Sequence, residues 1–170
     1  RLGLESQKTV LVTGGGDGFG QLGAIVDATA EELSRTAMTT GRPLQLAVIC
    51  GRNDKIRKSL ETRDWERRYP GLTVVVKGFV TDMETWMAAS DVLLTKAGPG
   101  TIAEAAALGL PVILTGFLPG QERGNVLHVL EKNFGALCKR PNNAARTVAD
   151  WLKDPKRLDQ MSHNALESAK

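Results

Sequence analysis

The chain has 170 residues, 42% of them hydrophobic and 24% charged, with a formal net charge of +3. That is enough for one compact domain with a filled core. A balance this mildly positive, with one Tyr and four Phe, gives no basis for nucleic-acid binding. There is no run of 18 apolar residues to span a membrane, and residues 1–20 lack the h-region and cleavage site of a signal peptide. Because its first residue is Arg1, the chain is expected to be a piece of a longer polypeptide, with any targeting segment or partner domain upstream.

Strand-like apolar runs alternate with helix-length amphipathic stretches along the chain. The first unit is 8-KTVLVTG-14, a glycine loop at 14-GGGDGFG-20, and a helix over 22–38. Next come a strand at 44-LQLAVICG-51 and a helix from about Asn53 to Tyr69. Cations and acids interleave there, in 52-RNDKIRKSLETRDWERR-68, as on a solvated helix face. A strand at 72-LTVVVKGF-79 precedes a short helix after Asp82, and a strand at 91-DVLLTK-96 precedes a helix after Gly100. The runs 111-PVILTG-116 and 136-ALCK-139 are each trailed by another helix. Several strands are apolar on both faces, as in a parallel sheet covered by helices on each side. The expectation is an α/β, Rossmann-like doubly wound sheet of about six strands forming one domain over 1–170. Ligands of such sheets bind at the carboxyl ends of the strands, so the loops there are where function is read.

In 14-GGGDGFG-20, glycines let backbone N–H groups approach an anion in front of a helix N-terminus. A P-loop would need Gly-Lys-Ser/Thr, which is absent. GxGxxG spacing does occur at Gly18, Gly20 and Gly23, but the second strand ends in Cys50-Gly51-Arg52 rather than in the acid that a dinucleotide ribose needs. NAD is disfavoured, and Arg52 leaves a small opening for NADP. The turn Gly98-Pro99-Gly100-Thr101 opens the next helix, whose free N–H groups suit a diphosphate. Glu104 lies one turn in, about 5 Å along the axis, where a carboxylate can accept bonds from both hydroxyls of a ribose; its alternative role is to favour the helix dipole. No Asp-x-Asp triplet appears, which points away from metal-dependent sugar transfer and toward backbone dipoles. Gln121, Glu122 and Asn125 offer mixed donors and acceptors for sugar hydroxyls, or a helix cap. His128 and His163 read as surface or structural residues, Trp65, Trp86 and Trp151 as packing, and Cys50 and Cys138 as buried structural thiols without zinc spacing.

Together GGGDGFG at 14–20, ICGRN at 49–53, VKGFVTDM at 76–83, TKAGPGTIAEAAALGLPVIL at 95–114 and GQERGN at 120–125 resemble the C-terminal, nucleotide-sugar-binding domain of the GT-B glycosyltransferases of family 28. The likeness runs in order through nearly the whole chain and is greatest to the galactolipid-synthesising members of plastids. It is shared more loosely with the peptidoglycan N-acetylglucosaminyltransferase that makes lipid II. The resemblance implies that Phe79 lies against the uracil of a UDP-sugar while the backbone of Val80 pairs with its edge. Gly98, Pro99, Gly100 and Thr101 would hold the diphosphate, Glu104 the ribose, and Gln121 and Glu122 the galactose hydroxyls, with Asn125 supporting their loop. Gly16 would meet the phosphates through backbone alone, since the bacterial relative has Ser there.

By the same resemblance the donor is UDP-galactose, the acceptor is diacylglycerol, transfer is inverting, and no metal or other cofactor is needed. The general base and the lipid-binding surface would belong to an N-terminal domain that this chain lacks, so no catalytic residue is assigned here and the chain alone is expected to bind donor without transferring it. Peripheral attachment of the full-length protein to the chloroplast envelope is implied likewise. The alternatives are the donor half of an N-acetylglucosaminyltransferase of the lipid II or dolichol-pathway type, a non-catalytic nucleotide-binding module, and an NADP-binding oxidoreductase domain.

Overall fold

The computed structural model describes residues 7–14 and 19–170. The apolar runs form strands β1 (Lys8–Thr13), β2 (Leu44–Ile49), β3 (Leu72–Lys77), β4 (Val92–Lys96), β5 (Val112–Gly116) and β6 (Gly135–Leu137). Between and after them lie helices α1 (Phe19–Thr40), α2 (Asp54–Glu61), α3 (Trp65–Arg68), α4 (Met83–Ala88), α5 (Pro99–Ala107), α6 (Arg123–Glu131), α7 (Pro141–Leu152) and α8 (Pro155–Ser168). The strands make one parallel six-stranded sheet in the order β3-β2-β1-β4-β5-β6. This is the doubly wound topology expected from the alternating pattern, with its switch point between β1 and β4.

Period-two alternation divides the strand residues between two cores. Val10, Val12, Leu46 and Val48 face α1, α2 and α7, whereas Leu11, Ala47, Leu93 and Leu114 face α4, α5 and α6. On α1 the residues Leu22, Ile25, Val26, Ala30, Leu33 and Ala37 form the buried stripe. Each of its four larger side chains contributes about 1.5–3 kcal/mol of transfer free energy, more than any helix propensity in the segment supplies.

Two expected elements differ. The single helix from Asn53 to Tyr69 is split into α2 and α3. Thr62 and Asp64 are weak helix formers, Asp64 caps the second helix by accepting from Arg67 N at 3.4 Å, and the Trp65 indole N–H donates to Leu60 O at 2.9 Å, closing the end of the first. The last strand is Gly135–Leu137 rather than 136–139, and Cys138 beyond it is half-buried, not buried like Cys50. The cation-rich run is a solvated face in α2, where Arg57 pairs with Glu61 at 3.1 Å and with Asp54 at 3.6 Å. Trp65, Trp86 and Trp151 are buried in α3, α4 and α7, while His128 and His163 are exposed on α6 and α8.

Candidate functional site

Strand β4 leads into the Gly98 turn at the carboxyl edge, next to the switch point. Gly98 is the N-cap of α5, with φ −71° and ψ 135°, and Pro99 is its first helical residue. Proline fits there because its φ is already helical and it has no N–H to leave unpaired. The first bond within α5 runs from Ile102 N to Gly98 O at 3.1 Å, so the N–H groups of Gly100 and Thr101 precede the helix's own bonding and point off its end. Among the described residues, a Cβ added at Gly98 or Gly100 would meet no atom within 4 Å, and neither glycine has a positive φ. Internal packing and backbone strain therefore do not account for these two glycines. What they leave is a surface where another molecule can approach the N–H groups closely.

Glu104 is exposed on α5. It lies three and four residues after Thr101 and Gly100, on one helix face with them, and helical side chains tilt back toward the N-terminus. Among the described residues its carboxylate forms no ion pair and no hydrogen bond. The helix closes at Gly109, whose φ of +66° completes a C-terminal turn in which Leu110 N donates to Ala105 O at 2.9 Å.

The β5–α6 loop, 117–122, is braced against this turn. Ala97 N donates to Gly116 O at 3.0 Å, and the Asn125 side-chain amide donates to Ala97 O at 2.9 Å. Asn125 thus ties α6 to the β4–α5 loop rather than to its own. Glu122 Oε1 accepts from Leu118 N at 2.8 Å, and Gln121 N and Glu122 N donate to Leu118 O. Glu122 is the N-cap residue of α6 but makes no side-chain cap bond; it closes the loop instead and keeps its second oxygen available. Gln121 beside it is exposed.

Phe79 and half-buried Val80 follow β3, three strands away from β4, or about 14 Å at the usual strand spacing. The expected positions therefore lie in a line along one edge, suited to an elongated ligand. Gly16, together with Gly15, Asp17 and Gly18, lies outside the described residues. A separate open cleft of about 720 Å³ between α1 and α7, walled in part by Asp27, Arg68 and Arg146, holds none of the expected positions.

Several further polar groups lie at this edge. The Thr13 and Thr95 hydroxyls hydrogen-bond at 2.8 Å across the switch point, and the Thr115 hydroxyl donates to Thr95 O at 3.3 Å. A threonine in the last two positions of each of β1, β4 and β5 is their only signal in the sequence. Exposed cations also end or follow the strands: Arg52 after β2, Lys77 on β3, Lys96 on β4 and Lys139 after β6. Cys50, just after β2, is buried, and burial pushes its thiol up to about 11, against the opposing field of Arg57.

The profile of the glycosyltransferase family 28 C-terminal domain matches residues 9–170. Monogalactosyldiacylglycerol synthase 1, chloroplastic, of Arabidopsis thaliana is 44% identical over 169 residues, covering 98% of this chain and 30% of that protein. The monogalactosyldiacylglycerol synthase, chloroplastic, of Spinacia oleracea is 45% identical over 175 residues, covering 99% and 32%. The chain thus spans about a third of the length of the curated relatives it matches. Among solved structures, MurG of Acinetobacter baumannii superposes with a TM-score of 0.70 at 20% identity, covering 98% of this chain and 47% of that one. Anabaena HepE in complex with UDP-glucose gives 0.67 at 20% identity, covering 96% and 44%. At such identities these two likenesses speak to the fold, the Rossmann-like half of a GT-B architecture.

Proposed function

Since the chain belongs to the glycosyltransferase family 28 C-terminal domain family, we propose that residues 1–170 are the UDP-sugar-binding domain of an inverting galactosyltransferase that makes monogalactosyldiacylglycerol. The observation that carries this reading is the turn Gly98–Thr101: it exposes the N–H groups of α5 with no need for its two glycines among the described residues, and Glu104 sits on the same face one turn in. A diphosphate placed there would be met by N–H groups and the helix dipole, with the edge cations adding a favourable field, and the attached ribose would lie at Glu104. No metal is needed in this account, because backbone dipoles and cations offset the diphosphate charge. Gly16, outside the described residues, is assigned to the phosphates only by family likeness.

Uracil would rest on Phe79 with its edge toward the Val80 backbone, and the sugar would meet Gln121 and the unengaged oxygen of Glu122, with Asn125 keeping the two loops in register. Galactose as the sugar, diacylglycerol as the acceptor, and the plastid as the site of action are supported by the names of the relatives. Binding of the acceptor, the general base and peripheral attachment to the envelope membrane are assigned to the part of the enzyme beyond this chain. Among the described residues no helix is long and apolar enough to cross a membrane.

Calorimetric titration with UDP, UDP-galactose and UDP-N-acetylglucosamine tests the reading. UDP-galactose is expected to bind more tightly than UDP, and Gln121→Ala to erase that advantage while UDP itself binds as before. A preference for the acetamido sugar would reassign the chain to an N-acetylglucosaminyltransferase, and a folded chain that bound no UDP at all would be a non-catalytic module.

Gly100→Ala supplies an independent check. Alanine in the first turn of α5 meets no described atom and reduces the freedom of the unfolded chain, so the domain should gain about 0.5–1 kcal/mol of stability. The same methyl group would obstruct the diphosphate, so UDP affinity should fall. Raised stability with unaltered UDP binding would remove the phosphate from this turn.

A further inference from the structure

Arg52 is exposed on the turn after β2, yet its guanidinium carbon lies 4.2 Å from the centroid of the Phe79 ring on the next loop. A cation at that distance over an aromatic face is attracted by the ring quadrupole. Phe79 nevertheless keeps 58% of its surface in solvent, much for the side chain of a phenylalanine. One face is therefore covered by the cation while much of the ring remains open.

The backbone brings the two residues together. Gly51 has a φ of +58°, a conformation that suits glycine, and this turns the chain sharply just before Arg52. Gly78 leaves room for the Arg57 side chain of α2, whose Cδ a Cβ there would meet at 3.0 Å, while Gly51 O would lie 3.6 Å away, an ordinary contact between the two loops. Arg57 is itself anchored by Glu61 and Asp54, and Cys50 N donates to Lys77 O at 2.8 Å, extending the β2–β3 pairing past the strand ends. A lone exposed Phe must be immobilised when a ligand stacks on it, and that ordering weakens binding. A ring already held by a stacked guanidinium avoids much of this loss.

We propose that Arg52 is a positioning residue of the nucleotide site: stacked on one face of Phe79, it holds the ring so that its open face receives the base of a uridine nucleotide. The inference rests on the donor-site reading above. It differs from a phosphate contact in what it controls, which is recognition of the base and not of the diphosphate.

The test is a double-mutant cycle on Arg52→Ala and Phe79→Leu, with UDP affinity measured by ligand-detected NMR at several salt concentrations and folding checked by thermal unfolding. Arg52→Ala is expected to weaken UDP binding about three- to tenfold, to leave the salt dependence of binding unchanged, and to have no further effect in the Phe79→Leu background. Arg52→Lys, which retains a cation but not the flat stack, should recover part of the loss. An equal loss in the Phe79→Leu background, or a shallower salt dependence, would show that Arg52 meets phosphate or acts apart from the ring and would overturn the proposal. Wild-type chain that binds UDP with Arg52→Ala unchanged removes this inference alone. Wild-type chain that binds no uridine nucleotide removes the donor-site reading and this inference with it.

Discussion

Gly135→Ala is expected to destabilise the domain by about 3 kcal/mol or more, a large share of the 5–15 kcal/mol that holds a typical domain folded. Gly135 opens β6 and pairs with Val112 of β5. A Cβ there would stand 2.3 Å from Val112 O, 2.5 Å from Val129 Cγ1 and 2.8 Å from Val112 Cγ2. The first of these atoms belongs to the backbone of a central strand, and the second to a fully buried side chain of α6. No rotamer change relieves the first contact, so β6 must move off the sheet or β5 must distort. For a domain of this size the loss corresponds to a fall in Tm of roughly 6–12 °C, measurable by calorimetry or circular dichroism. Gly100→Ala is the matched control, with the same added methyl group and the opposite sign. A Tm within about 2 °C of wild type for Gly135→Ala would mean that the β5–β6 contact is looser than its geometry indicates.

Glu104→Ala should weaken UDP binding by about 1–3 kcal/mol, or roughly 5- to 150-fold, with the fold intact. The carboxylate is exposed and makes no ion pair among the described residues, so its removal leaves no buried charge and disturbs no packing. The loss should come from hydrogen bonds to the ribose, and the 2′-deoxy analogue of UDP isolates them. Wild-type protein should discriminate against that analogue, whereas the alanine variant should bind both nucleotides alike. Equal affinity of variant and wild type for UDP, or discrimination that survives the substitution, would take the ribose away from Glu104. Glu104→Gln should fall between the two, because an amide oxygen still accepts hydrogen bonds but without the assistance of charge.

The fold was legible because it depends on local patterns. Runs such as 44-LQLAVI-49 and 92-VLL-94 are apolar on both faces, and helix-length stretches recur between them, which is sufficient to infer a parallel sheet with helices on each side. The break at 62–64 has a local part, Thr62 and the Asp64 cap, and a part that helical periodicity does not encode, the bond between the Trp65 indole and Leu60 O. Of the candidate site, the Gly98–Glu104 segment was legible because the turn, the helix start and the acid are adjacent in sequence. The bracing of that turn was not: Asn125 bonds to Ala97 across 28 positions and Thr13 to Thr95 across 82. Glu122 was read from its side chain as a sugar ligand or a cap, yet the bond it makes closes its own loop onto Leu118 N.

The amino-acid order alone determined the doubly wound class and the family, which rest on patterns and motifs repeated along the chain, and the glycine turn ahead of Glu104, which rests on spacing within one short segment. Only the tertiary structure decided which glycines the fold requires. Gly98 and Gly100 stand in open space among the described residues, whereas Gly135 is pressed against Val112, and a glycine reads the same in sequence whether a neighbouring strand or a ligand needs its missing side chain. Tertiary structure likewise decided that Arg52, which in the sequence leaves a small opening for NADP, lies over the ring of Phe79. Residues 27 positions apart meet there because β2 and β3 pair in parallel and the positive φ of Gly51 turns the chain just before Arg52.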